Sequence, residues 1–274
     1  MSAAAGRIVL AGCGKMGGAL LGGWLARGVS ADRITVVEPS DAAAGAARAR
    51  HGVEIVAGPG DLDERLAPDV VVFAVKPQVI DEVVPAYRRF VAPGTVFLSI
   101  AAGKSIGAFT RHLGEGAAIV RAMPNTPAAV GRGIAVLCAN EAVTPAQRET
   151  CQGLLAAVGE VVWIDDESLL DAVTAVSGSG PAYVFLLIEC LAEAGVDAGL
   201  GEALATRLAR ATVCGSGALA AESDEPAGTL RRNVTSPGGT TEAALEVLMA
   251  DDGLGPLMRR AVAAAARRSR ELAD

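Results

Sequence analysis

A chain of 274 residues has room for one large domain or two ordinary ones. Hydrophobic residues make up 51% but aromatics only 3%, so the core must be built from Ala, Val, Leu and Ile. With 24 basic and 31 acidic residues the formal charge is −7 and no basic stripe stands out, which argues against nucleic-acid and anionic-membrane partners.

Thirty-three glycines beside 20% charged residues exclude disorder. The five cysteines, Cys13, Cys138, Cys151, Cys190 and Cys214, are scattered and never spaced C-x-x-C. That excludes a disulfide framework and a zinc site, and points to a reducing compartment, the cytoplasm. Arg7 and Lys15 interrupt the apolar opening Met1–Leu25, so it reads as neither signal peptide nor membrane span. Glu189 and Glu193 within Ala182–Ala194 make that stretch read as a buried helix.

In chain order, Val- and Ile-rich runs recur at Arg7–Ala11, Ile34–Val37, Val70–Val75, Val96–Ile100, Ile119–Ala122, Ile134–Cys138 and Glu160–Ile164. The early ones are short and bounded by Gly, Pro or Asp, as buried parallel strands are. Between them Met16–Arg27, Asp41–His51, Pro77–Phe90, Ser105–Leu113 and Pro145–Val158 read as crossover helices. The pattern predicts an α/β fold, a doubly wound sheet. After Asp165 no strand-like run follows. Helices are expected at Ser168–Ser177, Pro181–Ala194, Gly201–Ala220, Glu225–Asn233, Thr240–Met249 and Gly255–Leu272. Two domains result, 1–164 for a dinucleotide and 165–274 all-helical, the second burying its Ala/Leu faces against another subunit.

Gly12-Cys13-Gly14-Lys15-Met16-Gly17 follows the first strand and opens a helix. Gly12 permits the tight turn, Gly14 lets backbone amides approach a diphosphate, and Gly17 allows close packing of helix on strand. Glu38 ends the second strand, where a carboxylate accepts hydrogen bonds from a ribose diol and repels a 2′-phosphate. Ser40 offers a hydroxyl to either, which leaves NADH and NADPH both open. Val75-Lys76-Pro77 ends the next strand, and Lys76 is one of three lysines. A cation there favours phosphate or carboxylate. Ala101-Ala102-Gly103 supplies small residues against a nicotinamide ribose, and Asn125, in Arg121–Pro127, borders the same cleft.

In the helical half, Asn233–Thr241 is a loop opening a helix, with exposed amides and the hydroxyls of Ser236, Thr240 and Thr241. It reads as a neutral cradle for a carboxylate. The only histidines, His51 and His112, lie outside these loops, and the second domain has no lysine. A ketone-reducing dehydrogenase needs such an acid. An imine, whose nitrogen arrives protonated, does not.

G-x-G-x-M-G, A-V-K-P, R-x-M-P-N-T-P, D-A-V-T-x-x-S-G-S-G-P-A-Y and N-V-x-S-P-G-G-T-T, in this order, resemble pyrroline-5-carboxylate reductase. The resemblance implies a Rossmann domain followed by a helical domain interlocking two subunits, with dimers often assembled into decamers. It implies reduction of Δ1-pyrroline-5-carboxylate to L-proline with NADPH or NADH, the last step of proline biosynthesis. Carried over by motif, Thr241 hydrogen-bonds the ring nitrogen, and Gly239, Thr240 and Ser236 meet the carboxylate. Asn233 reaches the nicotinamide end, and Glu167 lies near the substrate. The adenosine end, Glu38-Pro39-Ser40, departs from the family's usual phosphate-friendly sequence. The rivals are a related imine or ketone reductase and a regulatory protein binding NAD(P) without turnover.

Overall fold

Short runs of β-branched residues pair side by side because both faces of each are apolar and must be covered. In a computed structural model, which describes residues 6–273, they form one eight-stranded sheet in the order β3-β2-β1-β4-β5-β6-β7-β8. The strands are β1 Ile8–Ala11, β2 Ile34–Val37, β3 Glu54–Val56, β4 Val70–Phe73, β5 Val96–Ser99, β6 Ala118–Pro124, β7 Gly133–Ala139 and β8 Gly159–Trp163. β1 is flanked by β2 and β4, with Ala11 in register with both Val37 and Phe73. The direction of winding reverses there, and the carboxyl ends of these strands open the crevice. The start of the apolar opening, residues 1–5, lies outside the described residues.

The helices of this part are α1 Lys15–Ala26, α2 Asp41–His51, α3 Ile80–Val83, α4 Ile106–Leu113, α5 Pro145–Ala156 and α6 Leu170–Val173. Leu20, Leu21 and Trp24 of α1 and Leu154 and Leu155 of α5 cluster with strand residues including Leu10 and Val72. On the opposite core, Phe73 meets Tyr87 edge-on at 5.2 Å and Phe109 at 5.5 Å. Phe73, Phe90, Phe97 and Phe109 all belong to this second cluster. Four of the five phenylalanines are therefore concentrated in this layer, while Trp24 anchors the other.

Several sequence expectations need correction. β6 and β7 run antiparallel, Val120 opposite Ala139, because residues 125–132 are too short a link for a parallel crossover. The helix expected over Pro77–Phe90 is broken into 3-10, α and 3-10 turns. Pro85 removes an amide donor there, among β-branched Val79, Val83 and Val84. Ser168–Ser177 contains α6 and then a π-helical turn, Thr174–Gly178.

By internal contacts the chain divides at Gly178/Ser179, and residues 266–273 of the last helix return to the first unit. The sequence boundary at 164/165 marks where strands end. Contacts continue past it, because Leu170 is buried beside Val136 and Cys138, and Ser269 Oγ donates to Asp171 Oδ1 at 2.6 Å.

The second unit contains α7 Gly180–Asp197, α8 Glu202–Glu222, α9 Ala227–Asn233, α10 Thr240–Leu248 and the start of α11 Leu254–Ala273. The reading of Ala182–Ala194 as a buried helix is overturned for the single chain. No residue of α7 is buried, and Phe185, Leu186 and Leu187 are 58%, 56% and 51% exposed. The stretch Glu167–Asp197 is long and apolar enough to cross a membrane by length and composition alone, with mean hydropathy 1.5.

Candidate functional site

The glycine loop fits a dinucleotide on backbone geometry. Gly12 sits at φ +90°, and a Cβ there would lie 2.8 Å from the Ala74 carbonyl oxygen and 2.9 Å from Val75 Cγ1. A Cβ on Gly17 would collide with the carbonyl oxygen of Gly12. Nothing lies within 4 Å of where a Cβ on Gly14 would stand, so that side of the loop is open. Gly14 is also the N-cap of α1 and supplies no side-chain cap. The first-turn amides at Lys15, Met16 and Gly17 therefore face the opening with their dipoles aligned, as a diphosphate requires. Met16 packs on the core behind the loop.

Glu38 is anchored rather than loose. Its Oε2 accepts from the Cys13 amide at 2.8 Å, and its Oε1 accepts from the Ser40 amide at 3.0 Å. Ser40 Oγ accepts in turn from Ala43 N at 3.4 Å as the N-cap of α2. Burial, and then the Glu38 charge, push the Cys13 thiol up, so this cysteine stays protonated at neutral pH and is no nucleophile. Lys76 is exposed on the turn after β4, and Pro77 begins the next turn. Ala101 is buried, and its amide donates to Ser99 Oγ at 3.2 Å. Ala102 follows it, and Gly103 at φ +78° lies close to the Leu272 carbonyl of α11.

Two predicted ligand residues have structural work. Asn125 Oδ1 accepts from Ile134 N at 2.9 Å, and its Nδ2 donates to the Ser177 carbonyl in the π-turn at 3.2 Å. Glu167 Oε1 accepts from Ile106 N at 2.8 Å and from Arg121 Nη1 at 2.9 Å. The Arg121 side chain is 8% exposed, so the pair ties β6 to α4 and to the chain entering α6. Sequence reasoning missed that role for Arg121. A lone cation inside the apolar run Ile119–Ala122 was its signal, because a buried charge demands a partner.

In the second unit, α9 ends at Asn233, whose Nδ2 donates to Glu225 Oε2 at 3.1 Å. Thr235 Oγ1 donates back to the Arg231 carbonyl at 2.7 Å. Gly238 turns at φ +69°, the Gly239 amide donates to the Ser236 carbonyl, and α10 begins at Thr240. Gly239 caps α10 without a side chain, leaving the amides of Thr240 and Thr241 open. Ser236 and Thr240 are exposed and Thr241 half-buried. Glu242 reaches back to the Gly238 amide at 2.6 Å, fixing the turn. Sequence reasoning missed this too, although a glutamate three residues past a helix cap is a capping signature. Among the described residues no group of His, Cys, Asp and Glu is placed to hold a metal ion.

A glycine loop at the switch point of a largely parallel sheet, followed by a helical module, defines a dinucleotide-dependent oxidoreductase. Residues 7–103 match the family described as NADP oxidoreductase, coenzyme F420-dependent. Residues 167–272 match pyrroline-5-carboxylate reductase dimerisation. The chain is 41% identical to pyrroline-5-carboxylate reductase of Pseudomonas aeruginosa, over 98% of this chain and 97% of that one. It superposes with TM-score 0.90 on a pyrroline-5-carboxylate reductase from Coxiella burnetii, at 36% identity over 98% and 99% of the two chains. The Plasmodium falciparum pyrroline carboxylate reductase with NADP bound gives TM-score 0.82 and 30% identity over 98% of both chains. The chain belongs to the pyrroline-5-carboxylate reductase family.

Proposed function

We propose that the protein reduces the C=N bond of Δ1-pyrroline-5-carboxylate, giving L-proline, and that Thr241 orients the ring for that step. The family assignment carries the reaction, and the open amides and unpaired hydroxyls at the start of α10 carry the residue roles. The reduced nicotinamide, when bound, supplies a hydride to ring carbon C5. The first-turn amides of α1 hold its diphosphate, while Val75 and the Ala101-Ala102 turn border the remaining length. The amides of Thr240 and Thr241, with Ser236 Oγ, receive the substrate carboxylate; the Gly239 amide, which the motif would assign to it, is already bonded to the Ser236 carbonyl. Thr241 Oγ1 accepts from the protonated ring nitrogen, which keeps its proton as the hydride arrives. The only lysines are Lys15, Lys76 and Lys104 and the only histidines His51 and His112, so the second unit contributes neither as an acid. A substrate that brings its own proton suits that inventory.

The family's dimerisation module makes self-association part of the protein, and we read the working unit as a dimer. The exposed Phe185, Leu186 and Leu187 of α7 are the faces a second copy would cover, in place of a lipid. Glu189 and Glu193 on the same helix disfavour the lipid alternative. Size-fractionated protein given pyrroline-5-carboxylate should bleach the nicotinamide absorbance in the dimer fraction or a larger assembly such as a decamer. Simple 2-oxo acids should leave it unchanged. A fully active monomer would contradict the dimer reading, and equal turnover of 2-oxo acids would contradict the imine reading.

A further inference from the structure

We infer that Glu38 is the residue that sets cofactor preference in this chain, and that it makes the unphosphorylated nucleotide, NADH, the tighter-binding donor. The inference rests on the reductase reading above and deepens it. The observation is the carboxylate bridge: one oxygen is held by the Cys13 amide of the glycine loop, the other by the Ser40 amide ahead of α2. A freely rotating glutamate can swing away from an incoming phosphate. This one cannot do so without giving up both backbone donors.

The carboxylate therefore stands fixed at the carboxyl end of β2, where the fold places the adenosine ribose. There its outer lone pairs accept hydrogen bonds from a 2′-hydroxyl. A 2′-phosphate carries between one and two negative charges at neutral pH and meets a fixed like charge instead.

Accommodating that phosphate takes a nearby cation, typically an arginine. Residues 34–47, which cover β2, the turn and most of α2, contain no Lys, Arg or His. Their charged members are Glu38 and Asp41, both acidic, and Asp41 sits in the first turn of α2, where it offsets the helix dipole that would otherwise attract a phosphate. Ser40 Oγ is already drawn towards Ala43 N as the helix cap. The first cation along α2 is Arg48, and its Nη2 is turned to the Ile55 carbonyl at 3.3 Å. Lys15 and Lys76 stand on the turns after β1 and β4, where they suit the diphosphate. The Plasmodium relative holds NADP, so the preference inferred is a property of this chain's own β2 turn.

A plain structural brace would also explain the two hydrogen bonds, and the two roles separate in one experiment. Titrate the full chain, with no substrate, with NAD+ and NADP+ by calorimetry, for the parent and for Glu38→Gln. The parent should bind NAD+ at least about tenfold more tightly than NADP+. Glu38→Gln keeps the length and one acceptor but loses the charge. It should weaken NAD+, strengthen NADP+ and bring the ratio within about threefold, and the KM values for NADH and NADPH should move the same way. A brace alone would weaken both nucleotides by one factor and leave the ratio unchanged. That result overturns the inference, as does a parent that binds NADP+ as tightly as NAD+. The two titrations need no turnover, so failure of the inference is distinct from failure of the reductase reading, which would show as inertness toward pyrroline-5-carboxylate with both donors.

Discussion

Thr241→Ala should lower kcat/KM for pyrroline-5-carboxylate by roughly 10- to 150-fold while leaving nucleotide affinity and thermal stability nearly unchanged. Thr241 is the second residue of α10, half-buried, and its hydroxyl makes no hydrogen bond within the described residues. Nothing internal is lost when the hydroxyl goes. What is lost is one hydrogen bond to a charged nitrogen, worth about 1.5–3 kcal/mol, which gives the range stated. Thr241→Ser keeps the oxygen and should recover most of the rate. Thr241→Val keeps the shape without the oxygen and should not. Catalysis here is positioning, so an ångström of drift in the ring should matter as much as the bond itself. Unchanged kcat/KM in the alanine variant would remove Thr241 from the mechanism.

Trp24→Ala should destabilise the first unit by about 3–5 kcal/mol, the usual cost of emptying a large aromatic site in a core. Trp24 is fully buried on α1, among Leu20, Leu21 and the residues of α5. Its Nε1 also donates to the Leu154 carbonyl at 2.8 Å, in the last turn of α5 where carbonyls lack helical partners. The truncation thus opens a cavity and strands an acceptor together. At about 2–4 °C per kcal/mol for a unit of this size, Tm should fall by roughly 6–20 °C. Trp24→Phe restores most of the packing but not the hydrogen bond, and should cost only about 1–3 kcal/mol. Urea unfolding of the three proteins reads both terms. A loss below about 1 kcal/mol for the alanine variant would mean that α1 does not depend on this anchor.

Trp24 also illustrates what a sequence makes legible. Its helix, the strand before it and the glycine loop between them were readable because backbone geometry there admits few residues. Gly12 turns through positive φ against Ala74, and Gly17 has no room for a Cβ. Such constraints are local, so they leave a local mark. The antiparallel turn into β7, the three-residue β3 and the π-turn at Thr174–Gly178 depend on partners distant in sequence. Asn125 stood out as a polar side chain beside a cleft and Glu167 through its family motif, but neither signal names the internal partners that each side chain holds. Here those partners are Ile134, Ser177, Ile106 and Arg121. Apolar α7 was read as buried because a sequence records that a face must be covered, not by which chain.

The fate of the hydride tests the account most directly. Incubate the protein with pyrroline-5-carboxylate and NADH or NADPH carrying deuterium at the transferable C4 position, then analyse the product by NMR and mass spectrometry. The account predicts L-proline with one deuterium at C5 and none elsewhere, formed more slowly but with the same labelling by Thr241→Ala. Proline without deuterium at C5, or no proline while the nucleotide is oxidised, would contradict hydride transfer to the imine carbon.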